Sequence, residues 1–245
     1  MRRPKMILFD YGHTLLAEPD YDSLRGTYAV MAHCVQNPRG LSPEEVDRFA
    51  GEVFRGICGP ARDIGLEIHE YQFDRLTYEY LELTFSVGAA ARERLYWDNA
   101  APGVRMPYIG EALSYLREQG IRSGVISNIA FSGAALRERI GRLLPEHAFE
   151  FVLASSEYMI RKPHPLLFEL ALRKAGLPPE DVRFCGDTVR CDVAGAAGAG
   201  IFPVWYEDRT LDNPFREPAG NPPVGPHLHI TDWREFPPAL ECCQS

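Results

Sequence analysis

The sequence of 245 residues predicts a three-layer α/β/α core on a parallel sheet, with a block of helices inserted after the first strand. Three observations carry this reading. Short apolar runs alternate with helical patterns over most of the chain. Residues 17–100 break that alternation and show helical spacing alone. Polar residues also recur at the ends of the predicted strands, the rim where doubly wound sheets bind ligands.

The elements follow in order. Met6–Phe9 is an apolar strand running into Asp10. In the inserted block, Leu24, Tyr28, Met31 and Val35 are expected to share one helix face. Ser42-Pro43-Glu44-Glu45 is a capping box with proline at the first helical position, and Val46, Phe49, Val53 and Ile57 continue that helix. Leu76, Tyr80 and Leu83 mark a third helix, and no strand is expected before residue 100. The stems of the insertion lie near Leu16–Pro19 and Asp98–Pro107. Ile109, Ala112, Leu113 and Leu116 then keep helical spacing until Gly120. Val125 and Ile126 form a strand ending at Ser127, residues 131–143 a helix, and Phe149–Leu153 a strand. Pro165 opens a helix, Val182–Cys185 is a strand, Asp192–Ala199 a small-residue helix and Ile201–Trp205 a strand. Glu207–Pro226 reads as a loop, His227–Ile230 as an edge strand, and a short helix starts at Asp232. The expected division is therefore a core of residues 1–16 and 101–245 and a helical cap of residues 17–100.

Composition narrows the function classes. Hydrophobic residues at 45% and charged residues at 24% are globular values, which exclude a disordered chain or a fibre. The net charge of −8 comes with only three lysines, Lys5, Lys162 and Lys174, and no basic stripe for nucleic acid. The apolar run Met6–Phe9 is too short for a signal peptide or a membrane span. The six cysteines form no CxxC pair, so reduced thiols in a cytoplasm are expected. His227 and His229 alternate on one strand face, a spacing open to a metal or to plain edge polarity.

Four segments carry polar groups to the sheet's rim. Asp10-Tyr11-Gly12-His13 follows the first strand, and its glycine permits close backbone approach. Ser127-Asn128 offers a hydroxyl and backbone N–H groups entering a helix, a cradle for phosphate or an ordinary cap. Lys162-Pro163-His164-Pro165 puts an ammonium at the positive end of a helix, where it is disfavoured unless an anion meets it. Gly186-Asp187 through Asp192 places two carboxylates around a strand end, with small residues behind them for close packing. Taken singly, each aspartate also serves as a loop cap.

Jointly, and in this order, these segments resemble the haloacid dehalogenase superfamily of hydrolases. Gly186–Asp192 matches its GDxxxxD motif and Lys162–Pro165 its KPxP motif, and the inserted block is similar to its helical cap. The resemblance implies a Rossmann-like core and a phosphatase-type reaction on a small phosphorylated substrate. It implies Asp10 as nucleophile, forming an aspartyl-phosphate, with Lys162 and Ser127 steadying the transferring group and Asn128 beside them. It further implies Mg²⁺ held by Asp10, the Gly12 carbonyl, Asp187 and Asp192, which also balances three carboxylates against one ammonium. No nucleic acid or membrane is implied as partner, and monomer and homodimer stay open.

Two departures stand out. The family's phosphatases carry a second aspartate two residues after the nucleophile, where this chain has Gly12; that residue protonates the leaving group. His13 is the adjacent candidate for proton transfer, and Glu18, Asp20 and Asp22 lie near the hinge. The family also shows glycine where Met159 stands, three residues before the motif lysine. A catalytically impaired phosphate-binding protein and a metal-independent 2-haloacid dehalogenase remain as alternatives. The dehalogenase is disfavoured because Asp187 would repel a substrate carboxylate. A Schiff-base mechanism is disfavoured because residues 17–100 contain no lysine.

Overall fold

The computed structural model describes residues 3–210 and 222–241. Strand β1 (Met6–Phe9) opens the chain, and the two-residue strand β2 (Leu16–Ala17) follows. The inserted block holds α1 (Ser23–Met31), β3 (Cys34–Gln36), α2 (Pro43–Val53), α3 (Gly59–Asp63), α4 (Glu70–Tyr80), β4 (Thr84–Phe85) and α5 (Ala89–Ala100). The chain returns through β5 (Val104–Arg105) to α6 (Ile109–Glu118), β6 (Arg122–Ser127), α7 (Gly133–Leu143) and β7 (Phe149–Ala154). It ends with α8 (Pro165–Ala175), β8 (Val182–Gly186), α9 (Gly195–Gly198), β9 (Phe202–Tyr206), β10 (Leu228–Ile230) and α10 (Phe236–Glu241).

Six strands form one parallel sheet in the order β10-β9-β8-β1-β6-β7. Alternation along β1 feeds both faces. Ile7 and Phe9 join the cluster with Leu113, Leu136 and Trp233, whereas Met6 and Leu8 join the one with Phe168 and Phe184. Burial on both faces explains why the strands read as apolar runs instead of alternating ones. The strand order reverses at β1, so the carboxyl ends of β1, β6 and β8 border the crevice where such sheets bind ligands.

The insertion differs from its expected form in three ways. It carries a short antiparallel ribbon, β3 with β4, that three-residue segments are too brief to announce. Val35 lies in that ribbon, so α1 ends before it; Tyr28 is 49% exposed, and the buried face of α1 is Gly26, Thr27 and Val30. The third helix is α4, and its buried residues are Glu70, Asp74 and Thr77, while Leu76 and Tyr80 are exposed. The capping box at Ser42 forms with both arms, Ser42 N–H to Glu45 Oε2 at 2.8 Å and Glu45 N–H to Ser42 Oγ at 3.3 Å. Antiparallel pairing of β2 with β5 joins the two stems of the insertion.

Elsewhere the differences are local. The small-residue helix after Asp187 begins as a π-helical turn, Val189–Ala194, before α9. Met159 adopts φ 62°, the left-handed region, and this is the physical reason for the family's glycine there. Of the predicted 207–226 loop, residues 211–221 lie outside the described residues, as do Cys242 and Cys243. The four described cysteines are free. Among the described residues no helix is long and apolar enough to cross a membrane.

Helix α1 lies on α5 through Gly26, where a Cβ would come within 2.8 Å of the Tyr96 carbonyl oxygen. Backbone cannot give way as a side-chain tip can. Gly26→Ala is expected to lower stability by about 1–3 kcal/mol, read from the urea midpoint.

Candidate active site

Each polar side chain of the rim is set by a local device. Asp10 leaves β1 with its N–H still on the ladder, donating to the Cys185 carbonyl at 2.8 Å. Gly186 ends β8, where a Cβ would fall 2.4 Å from Asp192 Cγ, so glycine lets the Asp192 carboxylate pack against the strand end. The Thr188 N–H then donates to Asp192 Oδ2 at 3.0 Å, and the Thr188 hydroxyl to Asp187 Oδ1 at 3.1 Å. Trp205 reaches across from β9 and donates its indole N–H to the Asp187 carbonyl at 3.1 Å. The Asn128 side-chain amide grips the backbone of Lys162 on both sides, donating to its carbonyl at 3.0 Å and accepting its N–H at 2.7 Å.

Lys162 stands at the centre. It is 2% exposed, and its Nζ donates to Asp10 Oδ1 at 2.6 Å and to Asp192 Oδ1 at 2.7 Å. Burial opposes its charge, but the Asp10 and Asp192 carboxylates outweigh that and hold the ammonium above the ordinary lysine range. Carboxylate oxygens of Asp10, Asp187 and Asp192 all lie within 4.8 Å of one another. Burial together with Asp192 and Asp10 pushes the Asp187 carboxyl well up. Burial raises Asp192 to about 6, with Lys162 pulling down and Asp10 pushing up. One ammonium does not balance three carboxylates, and the oxygen donors suit a hard divalent cation.

The remaining predicted residues fall around the same cavity of about 770 Å³, which runs from Asp10 and Asp187 into the inserted block. Ser127 is buried at the end of β6, and Ser127, Gly12 and His13 line the cavity. Gly12 is not in the left-handed region, and nothing lies within 4 Å of where its Cβ would be. His13 is buried with φ 50°. The amide of Asn128, expected beside phosphate, is occupied by Lys162. Of the two histidines expected on the edge strand only His229 lies in β10; it stacks on Trp205 at 4.3 Å and contacts Glu207, while His227 precedes the strand and bonds the Gly225 carbonyl. Trp205, expected as packing, also fixes the Asp187 backbone.

Sequence reasoning missed the polar cap wall. Glu70, Asp74 and Thr77 line the cavity, as do Arg62 and Arg161, which share the Glu67 carboxylate. The signal was present: three polar residues at helical spacing, i, i+4 and i+7. Near the hinge, Glu18 Oε1 accepts from Trp97 Nε1 at 2.8 Å and from the Tyr11 hydroxyl at 3.1 Å, with the buried Arg139 beside it.

The sequence pattern of haloacid dehalogenase-like hydrolases matches residues 5–200. The chain belongs to that family. A glyceraldehyde 3-phosphate phosphatase from Methanopyrus kandleri is 35% identical over 208 residues, covering 82% of each chain. Its counterpart from Pyrococcus furiosus is 28% identical over 216 residues, 84% of this chain and 82% of that one. In fold, the haloacid dehalogenase-like chain is similar to a 2-haloacid dehalogenase from Pseudomonas syringae, with TM-score 0.65 and 20% identity over 98% of this chain and 99% of that one. This haloacid dehalogenase-like protein is a hydrolase of the phosphatase type.

A carboxyl raised on folding stabilises the fold while protonated and withdraws that stability as pH climbs through its folded value. Asp192 moves from 3.8 to about 6. The melting temperature of EDTA-treated protein is therefore expected to fall as pH rises from about 4 to 6, and Asp192→Asn is expected to flatten the profile.

Proposed function

We propose that this chain is a Mg²⁺-dependent phosphomonoesterase that works through an aspartyl-phosphate on Asp10. The observation that carries the reading is the buried Lys162 ammonium held between Asp10 and Asp192, with the Asp187 oxygens in the same cluster. Residues 1–16 and 101–245 would form the catalytic unit and residues 17–100 the cap that closes on the leaving group.

Lys162 holds Oδ1 of Asp10, which leaves Oδ2 to attack phosphorus. The P–O ester bond breaks as the Oδ2–P bond forms, and the leaving oxygen takes up a proton. Water then attacks phosphorus as the Oδ2–P bond breaks, inorganic phosphate leaves, and the carboxylate is restored with release of the proton that balances the one taken up by the leaving oxygen. Lys162 offsets the charge of the transferring group from one side, and the Ser127 hydroxyl donates to it. Asp10, Asp187, Asp192 and the Gly12 carbonyl are the residues that would hold Mg²⁺. Bound there, Mg²⁺ supplies charge neutralisation to the phosphoryl oxygens. Asn128 acts on Lys162 through its backbone and so positions the ammonium.

Gly12 leaves the proton donor open. A general acid contributes about 10²–10⁴-fold, so esters of poor leaving groups suffer most from its absence. His13 is the neighbouring group with a suitable ordinary pKa, and the residue is among those lining the same cavity. The similarity to glyceraldehyde 3-phosphate phosphatases favours a small phosphate ester as substrate. The reading also keeps the protein in the cytoplasm with its cysteines reduced.

p-Nitrophenyl phosphate is expected to be hydrolysed with Mg²⁺, with turnover lost in EDTA and in Asp10→Asn. Absence of turnover in the wild-type protein would overturn the reading in favour of a phosphate-binding protein. Gly12→Asp has room for its side chain and is expected to raise kcat on alkyl phosphates by about 10²-fold. An unchanged rate would assign the proton to a group already present.

A further inference from the structure

We propose that α4 forms a subsite for a cationic leaving group, so that the substrate is the phosphomonoester of an amino alcohol. The proposal rests on the hydrolytic reading of the Asp10 site and adds the chemistry of the group that leaves.

Helix α4 turns a mixed face inward. Leu76 and Tyr80 are 45% and 64% exposed, whereas Glu70, Asp74 and Thr77, together with Phe73 and Tyr78, line the cavity that contains Asp10. A soluble helix ordinarily buries its apolar stripe. Burying these polar groups costs free energy unless something answers them. Asp74 has a partial answer in Arg92, whose Nε lies 3.5 Å from Oδ2. Glu93, nearby, is satisfied by the Ser132 N–H and hydroxyl and by the Tyr71 hydroxyl.

Glu70 and Thr77 are different. Glu70 is 9% exposed, yet its carboxylate makes no hydrogen bond or ion pair among the described residues. Thr77 is 1% exposed, and its hydroxyl has no hydrogen-bond partner. Burial, then Asp74 and Glu93, push the Glu70 carboxyl well up, with Arg62 opposing. That guanidinium is itself engaged by Glu67 at 3.2 Å. A primary ammonium has three donors to give, and the Glu70 and Asp74 carboxylates can accept from it. Phe73 and Tyr78 line the same wall, and the Tyr78 ring already carries the Arg92 guanidinium 5.5 Å from its centroid. A carboxylate in this place would meet two carboxylates.

The test compares three ligands of similar size: O-phosphoethanolamine, n-propyl phosphate and phosphoglycolate. Calorimetric titration of the Asp10→Asn protein with Mg²⁺ gives Kd without turnover. Inhibition constants against p-nitrophenyl phosphate give the same ranking in the wild-type protein. The amine is expected to bind about tenfold or more tightly than the propyl ester, with phosphoglycolate weakest. Glu70→Gln is expected to bring the amine-to-propyl ratio close to one, whereas a merely structural role would weaken both ligands alike. Equal binding of amine and propyl esters, a preference for phosphoglycolate, or a ratio that survives Glu70→Gln would overturn the subsite. Failure of p-nitrophenyl phosphate turnover would sink the hydrolytic reading alone, because the Kd ratio still decides the subsite.

Discussion

The arrangement depends on one buried ammonium. Lys162 joins Asp10, at the end of β1, to Asp192, on the turn after β8, and those residues are far apart in sequence. Burying such a group is costly in isolation, and removing one partner of a buried pair typically costs about 3–5 kcal/mol. The surrounding structure is arranged to keep it paired: Asn128 clamps its backbone, Gly186 makes room for Asp192, and Thr188 anchors Asp192 and the neighbouring Asp187. Burial and the excess of carboxylates beside that single cation raise the Asp187 and Asp192 carboxyls.

The sheet supplies the geometry and the insertion supplies the environment. Carboxyl ends of neighbouring parallel strands point the same way, so any polar residue just past a strand arrives at the same rim. The inserted block faces that rim with a polar wall and ties to the core through β2 and β5 and through the Tyr11, Glu18, Trp97 and Arg139 contacts. Glu67 also bridges the two parts, its N–H on the Met159 carbonyl at 2.8 Å and its carboxylate on Arg161.

Most of the core was legible because its signals are local. Period and punctuation announce Met6–Phe9, the Ile109 helix with its Gly120 stop, and the Ser42 capping box, since each depends on residues within one or two turns. The motif residues were legible as well, being polar groups at strand ends where apolar ones are the rule. The cap faces were not. Tyr28 and Leu76 are apolar at helical spacing, but spacing names a stripe without saying what lies opposite it. Gly26 determines the contact of α1 because the α5 backbone comes to it, and the polar residues of α4 turn inward because a cavity is there. Asn128 was read as a phosphate contact, since sequence offers no means of seeing that its amide is already used by Lys162.

The sequence alone thus determined the layered α/β core, the place of the insertion, the set of acids and the single lysine near them, and the absence of an aspartate at Gly12. These follow from order and periodicity, which survive in one dimension. Only the tertiary structure decided which carboxylates the ammonium touches, why left-handed Met159 stands where glycine is usual, and that a helix of the cap presents acid to the cavity. Those depend on distances between residues remote along the chain, and through-space electrostatics and packing set them.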